Sequence, residues 1–297
     1  ATAYADVAWR MAFLKAHWPA EFLCARLADA GGFHHPAVYI AEAERLGITV
    51  RPPHVNHSGE AFTLSYEYDI EEDLETGFFR KNPVSERPVL WMGLGAVRDL
   101  RRASIAAIMV ERERSPFTGP ADLMARVGLS AKEIANLVRC GALDGLGSSR
   151  AAMLDTAGGA GRAGSPQQMS FGFLNVSVVQ DETAADRLSW EMEILGRPAS
   201  VHPLELVRRR KSDAGVRRLP QTRGRLVTAL AVRVPGWPGG AGFFMGDGDS
   251  FAIAKPDKAL AEEKIRWPSW RPLRLNGRWR VDEWGGGWFE VESYEMV

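Results

Sequence analysis

The sequence predicts an α+β multidomain chain in which a mainly helical part precedes a C-terminal β-barrel of five strands. Up to about residue 156, apolar residues recur at helical spacing between Pro and Gly breaks. From Arg225 onward, short apolar runs alternate instead with Gly and Pro turns, as strands do. Between the two parts, the stretch AGGAGRAGSP at 157–166 is rich in Gly and Ala and indicates a linker.

The composition is that of an ordinary globular chain. Of the 297 residues, 45% are hydrophobic and 25% are charged, which excludes a disordered protein, a collagen and a disulfide scaffold. The 37 basic residues balance 37 acidic ones, which argues against a wholly basic nucleic-acid binder but leaves room for a local basic face. Cys24 and Cys140 lie in apolar helical stretches and predict core residues in a reducing cytoplasm. No apolar run reaches the roughly 20 residues of a membrane span.

The first 50 residues predict three helices. The first carries one apolar stripe at three- and four-residue spacing, made of Tyr4, Val7, Met11, Leu14 and Trp18. Pro19 opens the second helix and Pro36 the third, because proline fits the first helical turn. Gly47 stands where the third helix should end.

The next stretch predicts irregular structure. Two prolines indicate an extended crossing with a short strand, and the acidic-then-basic residues 69–88 predict a surface loop. On an extended segment His54 and His57 should point to opposite faces, so we predict solvated histidines rather than a metal site.

Residues 89–156 predict short helices joined by tight turns. One helix is expected over Ala103–Arg112, and another begins at Pro120. Ser130 and Glu133 have the spacing of a capping box, which starts a third helix. Gly141 breaks that helix before another begins. Such a Gly turn can aim helix N-terminal amides at a DNA phosphate, although the residues alone favour an ordinary helical hairpin.

The tail predicts five strands, with a short helix between the third and the fourth. This is the order of a five-stranded OB-fold barrel, a fold that binds oligonucleotides or oligosaccharides in many proteins. Before the barrel, residues 186–195 predict a short amphipathic helix, and the stretch from Arg208 to Arg225 is strongly basic.

The last two strands alternate between an apolar and a polar face. The predicted inward residues are Leu273, Leu275, Trp279, Val281, Phe289 and Val291. The predicted outward residues are Arg274, Asn276, Arg278, Arg280, Trp288, Glu290, Glu292 and Tyr294. The arginine row suits a single nucleic-acid strand, but its last two arginines can equally pair with Glu290 and Glu292 across the strands. On the first strands Phe243, Phe244 and Trp237, expected to be exposed, are the better candidates for stacking on bases.

Chemistry of its own is not predicted for this chain. A two-metal nuclease or polymerase site needs carboxylates held together, whereas the acidic run at 69–75 lies in a predicted loop. Asp247 and Asp249 have the spacing of turn residues. No nucleophile and base are paired by spacing, so no catalytic or metal-ligating residue is predicted.

Several motifs in one order resemble the bacterial DNA polymerase III alpha subunit, the family C DNA polymerase of the replicative or error-prone branch. AYADVAWRMAFLKAHWPAEFL resembles part of that family's fingers region, and GGFHHPAVYIAEAERLGITVRPPHVNHS resembles the helix and crossing that follow. In the crossing, His54 replaces the usual Asp. FTGPADLMARVGLSAKEIANLVRCGALDGLG resembles the family's tandem helix-hairpin-helix segment, and EMEILGRPASVHPL resembles the run before its OB domain.

The resemblance implies a DNA-binding role without catalysis. The family's palm aspartates, which hold Mg²⁺, precede everything in this sequence, so we expect no primer extension by this chain alone. The first hairpin departs from the family's turn at Val97–Arg101, whereas the second keeps Gly141. The residues implied for duplex DNA are Gly141, Leu143, Gly145 and Arg150. Those for single-stranded template are Phe243, Phe244, Arg274, Arg278 and Arg280.

The family also carries a sliding-clamp peptide before its OB domain. Here Gln168, Met169 and Phe171 occupy that place, but Gly172 stands at the final aromatic position. A strand-like attachment to the neighbouring domain is the other interpretation.

The expected domains are a fingers end at 1–88, helix-hairpin-helix units at 89–156, a linker at 157–222 and the OB domain at 223–297. The predicted function is to grip duplex and single-stranded DNA during replication or translesion synthesis. A non-catalytic fragment docking on a separate upstream polymerase half, and a remnant without activity, are the other hypotheses.

Overall fold

A computed structural model describes residues 2–29, 32–68, 70–72, 79–81, 86–160, 181–263, 265–283 and 285–297. Its helices are α1 (Thr2–His17), α2 (Pro19–Ala28), α3 (Pro36–Arg45), α4 (Arg102–Arg114), α5 (Pro120–Arg126), α6 (Ala131–Arg139), α7 (Arg150–Ala160), α8 (Ala184–Leu195) and α9 (Lys258–Glu262). Shorter 3-10 turns cover Leu94–Ala96, Pro203–Leu206 and Val216–Thr222.

The strands are β1 (Thr49–Arg51), β2 (Thr63–Glu67), β3 (Ile70–Glu72), β4 (Phe79–Lys81), β5 (Arg87–Trp91), β6 (Asp213–Ala214), β7 (Leu226–Val234), β8 (Phe243–Gly246), β9 (Phe251–Pro256), β10 (Pro272–Val281) and β11 (Gly287–Met296). The chain forms two compact units. The barrel unit comprises 1–50, 64–90 and 202–297, and the hairpin unit comprises 51–63 and 91–201.

Five strands of the barrel unit close into a barrel, as the sequence predicts for an OB fold. β10 pairs antiparallel with both β11 and β7, β7 pairs with β8, and β8 pairs with β9. A parallel pairing of β11 with β9 completes the ring, and α9 lies between β9 and β10 in the chain. The short strand β6 adds to β7 in parallel.

A bulge between β10 and β11 sets which side chains enter the barrel. The register shifts after Asn276: Asn276 lies opposite Ser293 and Gly277 lies opposite Val291, so the intervening Glu292 of β11 is the extra residue of the bulge. Gly277 is required there because a Cβ would clash with the Glu290 carbonyl oxygen. The shift turns Tyr294 toward the core, where its ring lies 4.8 Å from that of Trp267. The outward position predicted for Tyr294 was therefore wrong.

Helix α3 covers the outer face of the first barrel strands. Ala37 and Val38 of α3 form a buried cluster with Val234 of β7 and Phe244 of β8. Proline at the start of α3 and the His35 side chain, which accepts the Ala37 N–H, fix where the helix begins. Because of this packing, Phe244 of β8, which the sequence predicts to be exposed, is covered by helix α3.

The stretch 69–88 contains strands rather than the predicted loop alone. In its described part, β3 and β4 form an antiparallel pair in which Glu71 lies opposite Arg80. The strand β5 begins at Arg87 and lies between β1 and β2 in a three-stranded sheet.

The hairpin unit is built on one buried apolar cluster. Its centre includes Leu94, Ile108, Leu123, Leu137 and Leu143. The capping box predicted at Ser130 and Glu133 is present, and α4 extends one or two residues beyond the predicted range at each end.

Candidate nucleic-acid interface

The second hairpin is the turn between α6 and α7. Gly141 adopts a φ of +86°, and a Cβ at this position would clash with the guanidinium of Arg150. Leu143 is fully buried in the hairpin core, so it positions the turn from within. Gly145, at a φ of +82°, is exposed with open space around its Cα.

Arg150 is part of the hairpin's interior and not of its surface. Its side chain is 1% exposed, and its nitrogens donate to both Asp144 oxygens at 2.9 and 2.6 Å and to Glu191 at 3.0 Å. It also donates to the Arg139 carbonyl at the end of α6, at 3.0 Å. Although burial works against its charge, Asp144 and Glu191 raise the pKa of Arg150. The prediction that Arg150 reaches a DNA phosphate is wrong for this structure, because its donors are already used.

Carboxylates of the chain itself occupy the N-termini of two hairpin helices. Glu133 accepts hydrogen bonds from the Arg101 backbone N–H at 3.2 Å and from the Ser104 hydroxyl at 2.6 Å, at the start of α4. Glu182 accepts the Ala151 N–H at 3.0 Å at the start of α7. These are the positions at which helix amides would otherwise hold a phosphate.

The ionisation of these carboxylates agrees with their positions. For Glu133, burial favours the neutral acid, but hydrogen bonds from Arg101, Ser104 and the backbone lower the pKa overall. Burial likewise opposes the charge of Glu182, and backbone N–H groups at the start of α7 lower its pKa. Both groups are therefore resident anions. Ser-x-x-Glu spacing could have indicated Glu133, whereas nothing near Glu182 in the sequence indicates its role.

The exposed part of the second hairpin is the turn itself. Gly145, Gly147 and Ser148 are exposed, and within the described part of the chain their backbone N–H groups have no hydrogen-bond acceptor. Asp144 N–H and Leu146 N–H are used inside the turn by the Gly141 and Leu143 carbonyls. The amides of these three exposed residues are the groups through which this hairpin can contact a phosphate.

The first hairpin keeps its turn with a different residue. Asp99 adopts a φ of +60°, a left-handed conformation that Asp tolerates better than most residues other than Gly and Asn. Its carboxylate pairs with Lys132 at 2.9 Å. The turn at Val97–Arg101 thus contains a residue in the left-handed conformation, and the charge of that residue is paired with Lys132.

His54 and His57 lie in a turn and not on an extended segment. The Ser58 and His57 N–H groups both donate to the His54 carbonyl, which brings the two rings to 4.7 Å. The prediction of opposite faces was therefore wrong. His54 Nδ1 accepts the Asn56 N–H and its Nε2 lies 3.1 Å from the Asp144 carbonyl, as the neutral ring allows. Burial, and secondarily His57, lower the pKa of His54.

Two aromatic residues proposed for base stacking are buried. Phe243 points into the barrel core and stacks on Trp267 at 4.6 Å. Phe244 is 5% exposed and lies beneath α3. The centre of its ring is 5.7 Å from that of the His34 ring. Their predicted exposure was wrong because adjacent residues of one strand face opposite sides, and both sides of β8 are covered.

The arginine row of β10 is paired with carboxylates. Arg274 is buried, 3.5 Å from Asp213. Arg278 lies 2.7 Å from Glu292, and Arg280 lies 2.6 Å from Glu290. Of the two interpretations of this row, cross-strand neutralisation is the one that the structure contains.

One aromatic candidate is exposed. Trp237 lies in the loop between β7 and β8, and 60% of it is accessible. Its indole N–H donates to the Gly240 carbonyl at 3.0 Å, which holds the ring in one orientation. On the other strands, the Lys255 ammonium lies 4.1 Å from the Trp288 ring.

Some predictions lie outside the described residues. Gln168, Met169 and Phe171, the predicted clamp peptide, fall in 161–180. In the ranges that are described, no three His, Cys, Asp or Glu side chains are grouped closely enough to hold a metal ion. No described helix has the length and apolar character needed to cross a bilayer.

Comparisons with known proteins find relatives of this chain among DNA polymerases. A family model described as a helix-hairpin-helix motif matches residues 47–153. The chain is 32% identical to the error-prone DNA polymerase of Methylococcus capsulatus, over 72% of this chain and 21% of that protein. It is 31% identical to that of Alkalilimnicola ehrlichii, over 82% of this chain and 23% of the relative.

A DNA polymerase III subunit alpha from Mycobacterium tuberculosis is 29% identical, over 69% of this chain and 18% of the relative. The chain therefore spans about a fifth of the length of the curated relatives that it matches.

Proposed function

We propose that this chain, which is homologous to one segment of the DNA polymerase III alpha subunits and error-prone DNA polymerases, grips DNA while nucleotide transfer takes place elsewhere. Its barrel binds single-stranded template, and the turn of the second hairpin contacts the duplex. The proposal rests on the matched helix-hairpin-helix motif, which implies DNA binding, and on the names of the relatives. Replication or translesion synthesis in the cytoplasm is the setting that these relatives suggest.

The observation that carries the single-strand role is the exposed and fixed ring of Trp237. The loop between the first two strands is one of the regions through which OB folds bind oligonucleotides. A tryptophan already held by its own indole hydrogen bond gives up little further freedom on binding, so its stacking on a base costs little entropy. Phe243 and Phe244 cannot serve in this way, because they are buried.

The test is binding of a fluorescent oligothymidylate to the full chain. Replacing Trp237 with Ala should weaken the affinity by about 1–3 kcal/mol, which is about 5- to 150-fold, because one base loses its stacking partner. Trp9→Ala is the matched control, since Trp9 is 64% exposed but lies on α1. Equal weakening in the two variants, or no binding by the unaltered chain, would contradict the proposal.

The duplex role depends on the free amides of Gly145, Gly147 and Ser148. Since Glu133 and Glu182 occupy the helix N-termini, the contact made by this hairpin is limited to the turn. Gly147→Pro removes one of these N–H donors, because proline has none. If the turn contacts the duplex, this substitution should lower the affinity for duplex DNA.

A second candidate function is docking onto a separate polymerase half. The apolar stripe of α1 is exposed along its length, from Tyr4, which is 85% exposed, to Trp18, the residue that follows the helix. Such a patch is typical of a protein–protein interface. Co-elution with an upstream polymerase segment, abolished by Val7→Glu and Met11→Glu substitution, would favour this candidate. Binding of a sliding clamp through Gln168, Met169 and Phe171 stays a prediction.

A further inference from the structure

The segment from Arg208 to Arg218 is an exposed basic surface that precedes the barrel. Eleven residues, RRRKSDAGVRR, contain six cations and one acid. All six of the cations are exposed: Arg208, Arg209, Arg210, Lys211, Arg217 and Arg218. In a chain whose formal net charge is zero, this is a strong local concentration of positive charge.

Two of the acids beside this basic segment, Asp213 and Asp247, have buried side chains that accept hydrogen bonds within the fold. Asp213 is 2% exposed; it accepts the Arg210 N–H at 2.8 Å and lies 3.5 Å from Arg274. Asp247 is 4% exposed, and it accepts the Val216 N–H at 2.8 Å. Their charges are thus directed inward, while the cations of the segment are directed to solvent.

Four of the six cations have no carboxylate partner among the residues that the structure describes. Arg209 and Arg210 make only long contacts, at 4.0 Å to Asp247 and 3.8 Å to Glu295. Within the described ranges, no carboxylate lies within 4.0 Å of the side-chain nitrogens of the remaining cations, and no hydrogen bond from these nitrogens is present. These free cations are Arg208, Lys211, Arg217 and Arg218.

The backbone beneath these cations is fixed. Arg274 of β10 donates to the Arg208 carbonyl at 3.0 Å, and β6 pairs with β7. Val216 and Leu219 are buried in the barrel core. A segment held at several points loses little backbone freedom when it binds a ligand, so its charge is preorganised.

The segment adjoins two open clefts. One, of about 550 Å³, is lined by the stretch from Val207 to Lys211, which includes three arginines, and by Arg274. The other, of about 650 Å³, is lined by Arg217 and Arg218, with Glu44 and Asp249 on its wall. Arg209 lines both clefts.

We propose that Arg208–Arg218 is the surface along which the phosphate backbone of single-stranded DNA runs. The ligand follows from the proposed function, on which this inference rests, and from the suitability of arginine for phosphate. It also follows from what the barrel lacks: α3 covers the outer side of β7 and β8, and Arg278 and Arg280 are neutralised. The strand is therefore held by the segment before the barrel and stacks on the barrel's exposed loop.

The test compares two fourfold alanine variants of the full chain. The first replaces the four free cations Arg208, Lys211, Arg217 and Arg218. The control replaces four exposed cations that have carboxylate partners elsewhere, namely Arg10, Arg102, Arg114 and Lys132. Because both variants lose four positive charges, any difference between them reports location and not net charge.

The measurement is the salt dependence of oligothymidylate binding. Removing one arginine–phosphate or lysine–phosphate interaction should reduce the slope of log affinity against log salt by about 0.7, so the slope should fall by about 3 in the first variant and hardly at all in the control. Equal slopes in the two variants, with Trp237→Ala still weakening binding, would overturn this inference and leave the proposed function standing. Absence of binding by the unaltered chain would overturn both.

An oligoglutamate of equal charge separates nucleic acid from an acidic protein partner. We expect it to bind at least tenfold more weakly than the oligothymidylate, since it cannot stack on Trp237. Equal affinity that disappears in the first variant would assign the basic segment to acidic proteins and overturn the inference.

Discussion

Two arginine-rich regions of the barrel unit differ in what surrounds them. On β10, Arg278 and Arg280 lie on a strand whose neighbour presents Glu292 and Glu290, and each arginine is paired at 2.6–2.7 Å. In the segment Arg208–Arg218 the acids Asp213 and Asp247 are buried, and four exposed cations have no carboxylate within 4.0 Å among the residues that the structure describes. Both regions are rich in arginine, so arginine content alone does not distinguish them. We therefore expect pairing with carboxylates to decide which of these arginines can bind a phosphate.

The largest effect is expected where pairing is most complete. Replacing Arg150 with Ala leaves the buried carboxylate of Glu191 without its cation, so we expect the free energy of unfolding to fall by about 3–5 kcal/mol. Urea denaturation of the purified variant measures this change. Arg139→Ala is the control, because its contact with Glu193 is 4.0 Å long and half-exposed, and its cost should stay below about 1 kcal/mol. A similarly small decrease for Arg150→Ala would contradict a structural role.

An intermediate effect is expected from freeing the arginines of β10. The double substitution Glu290→Gln and Glu292→Gln removes the partners of Arg280 and Arg278 while keeping similar shapes. If pairing is what separates the two regions, the salt slope of oligothymidylate binding should steepen by up to about 1.4, because two more arginines become able to bind phosphates. Glu262→Gln with Glu263→Gln changes the net charge equally at exposed positions and serves as the control. An identical change in the two double variants would mean that pairing does not separate the regions.

The smallest effect is expected from Arg278→Ala. Because this side chain is paired with Glu292 and donates to the Gly224 carbonyl, its removal should leave the salt slope unchanged. The unfolding free energy should fall by about 1 kcal/mol or less, as for other partly exposed pairs. A slope reduced by about 0.7 would show instead that Arg278 binds the nucleic acid despite its partner.

Much of the fold was predictable because its signals are local. Pro19 and Pro36 open helices α2 and α3, Ser130 and Glu133 start α6, and the alternating runs after Arg225 give the strands of the barrel. The resemblance to the polymerase III alpha family is confirmed by the relatives, and the OB barrel is confirmed by the closed ring of strands. The four-part division of domains stays a prediction.

The candidate site was harder to predict because its members come from distant parts of the chain. Arg150 matched the expected motif, yet Glu191, 41 residues away, takes up its charge. Phe244 was predicted to be exposed for base stacking, but Val38, from a helix near the start of the chain, packs against it. The leftover residue at the β10–β11 bulge reversed the direction of Tyr294, which alternation alone could not reveal.

Local sequence was sufficient to predict many of the helices, where several of them begin, and the five barrel strands at the C-terminal end, but not the strands between residues 69 and 91. These features depend on hydrophobic period and on the backbone limits of Pro and Gly, which act over a few residues. Which arginines and aromatic rings reach solvent was settled at the tertiary level. That outcome depends on burial and charge pairing between residues tens to hundreds of positions apart. Local sequence patterns do not indicate which of these residues come into contact in the folded chain.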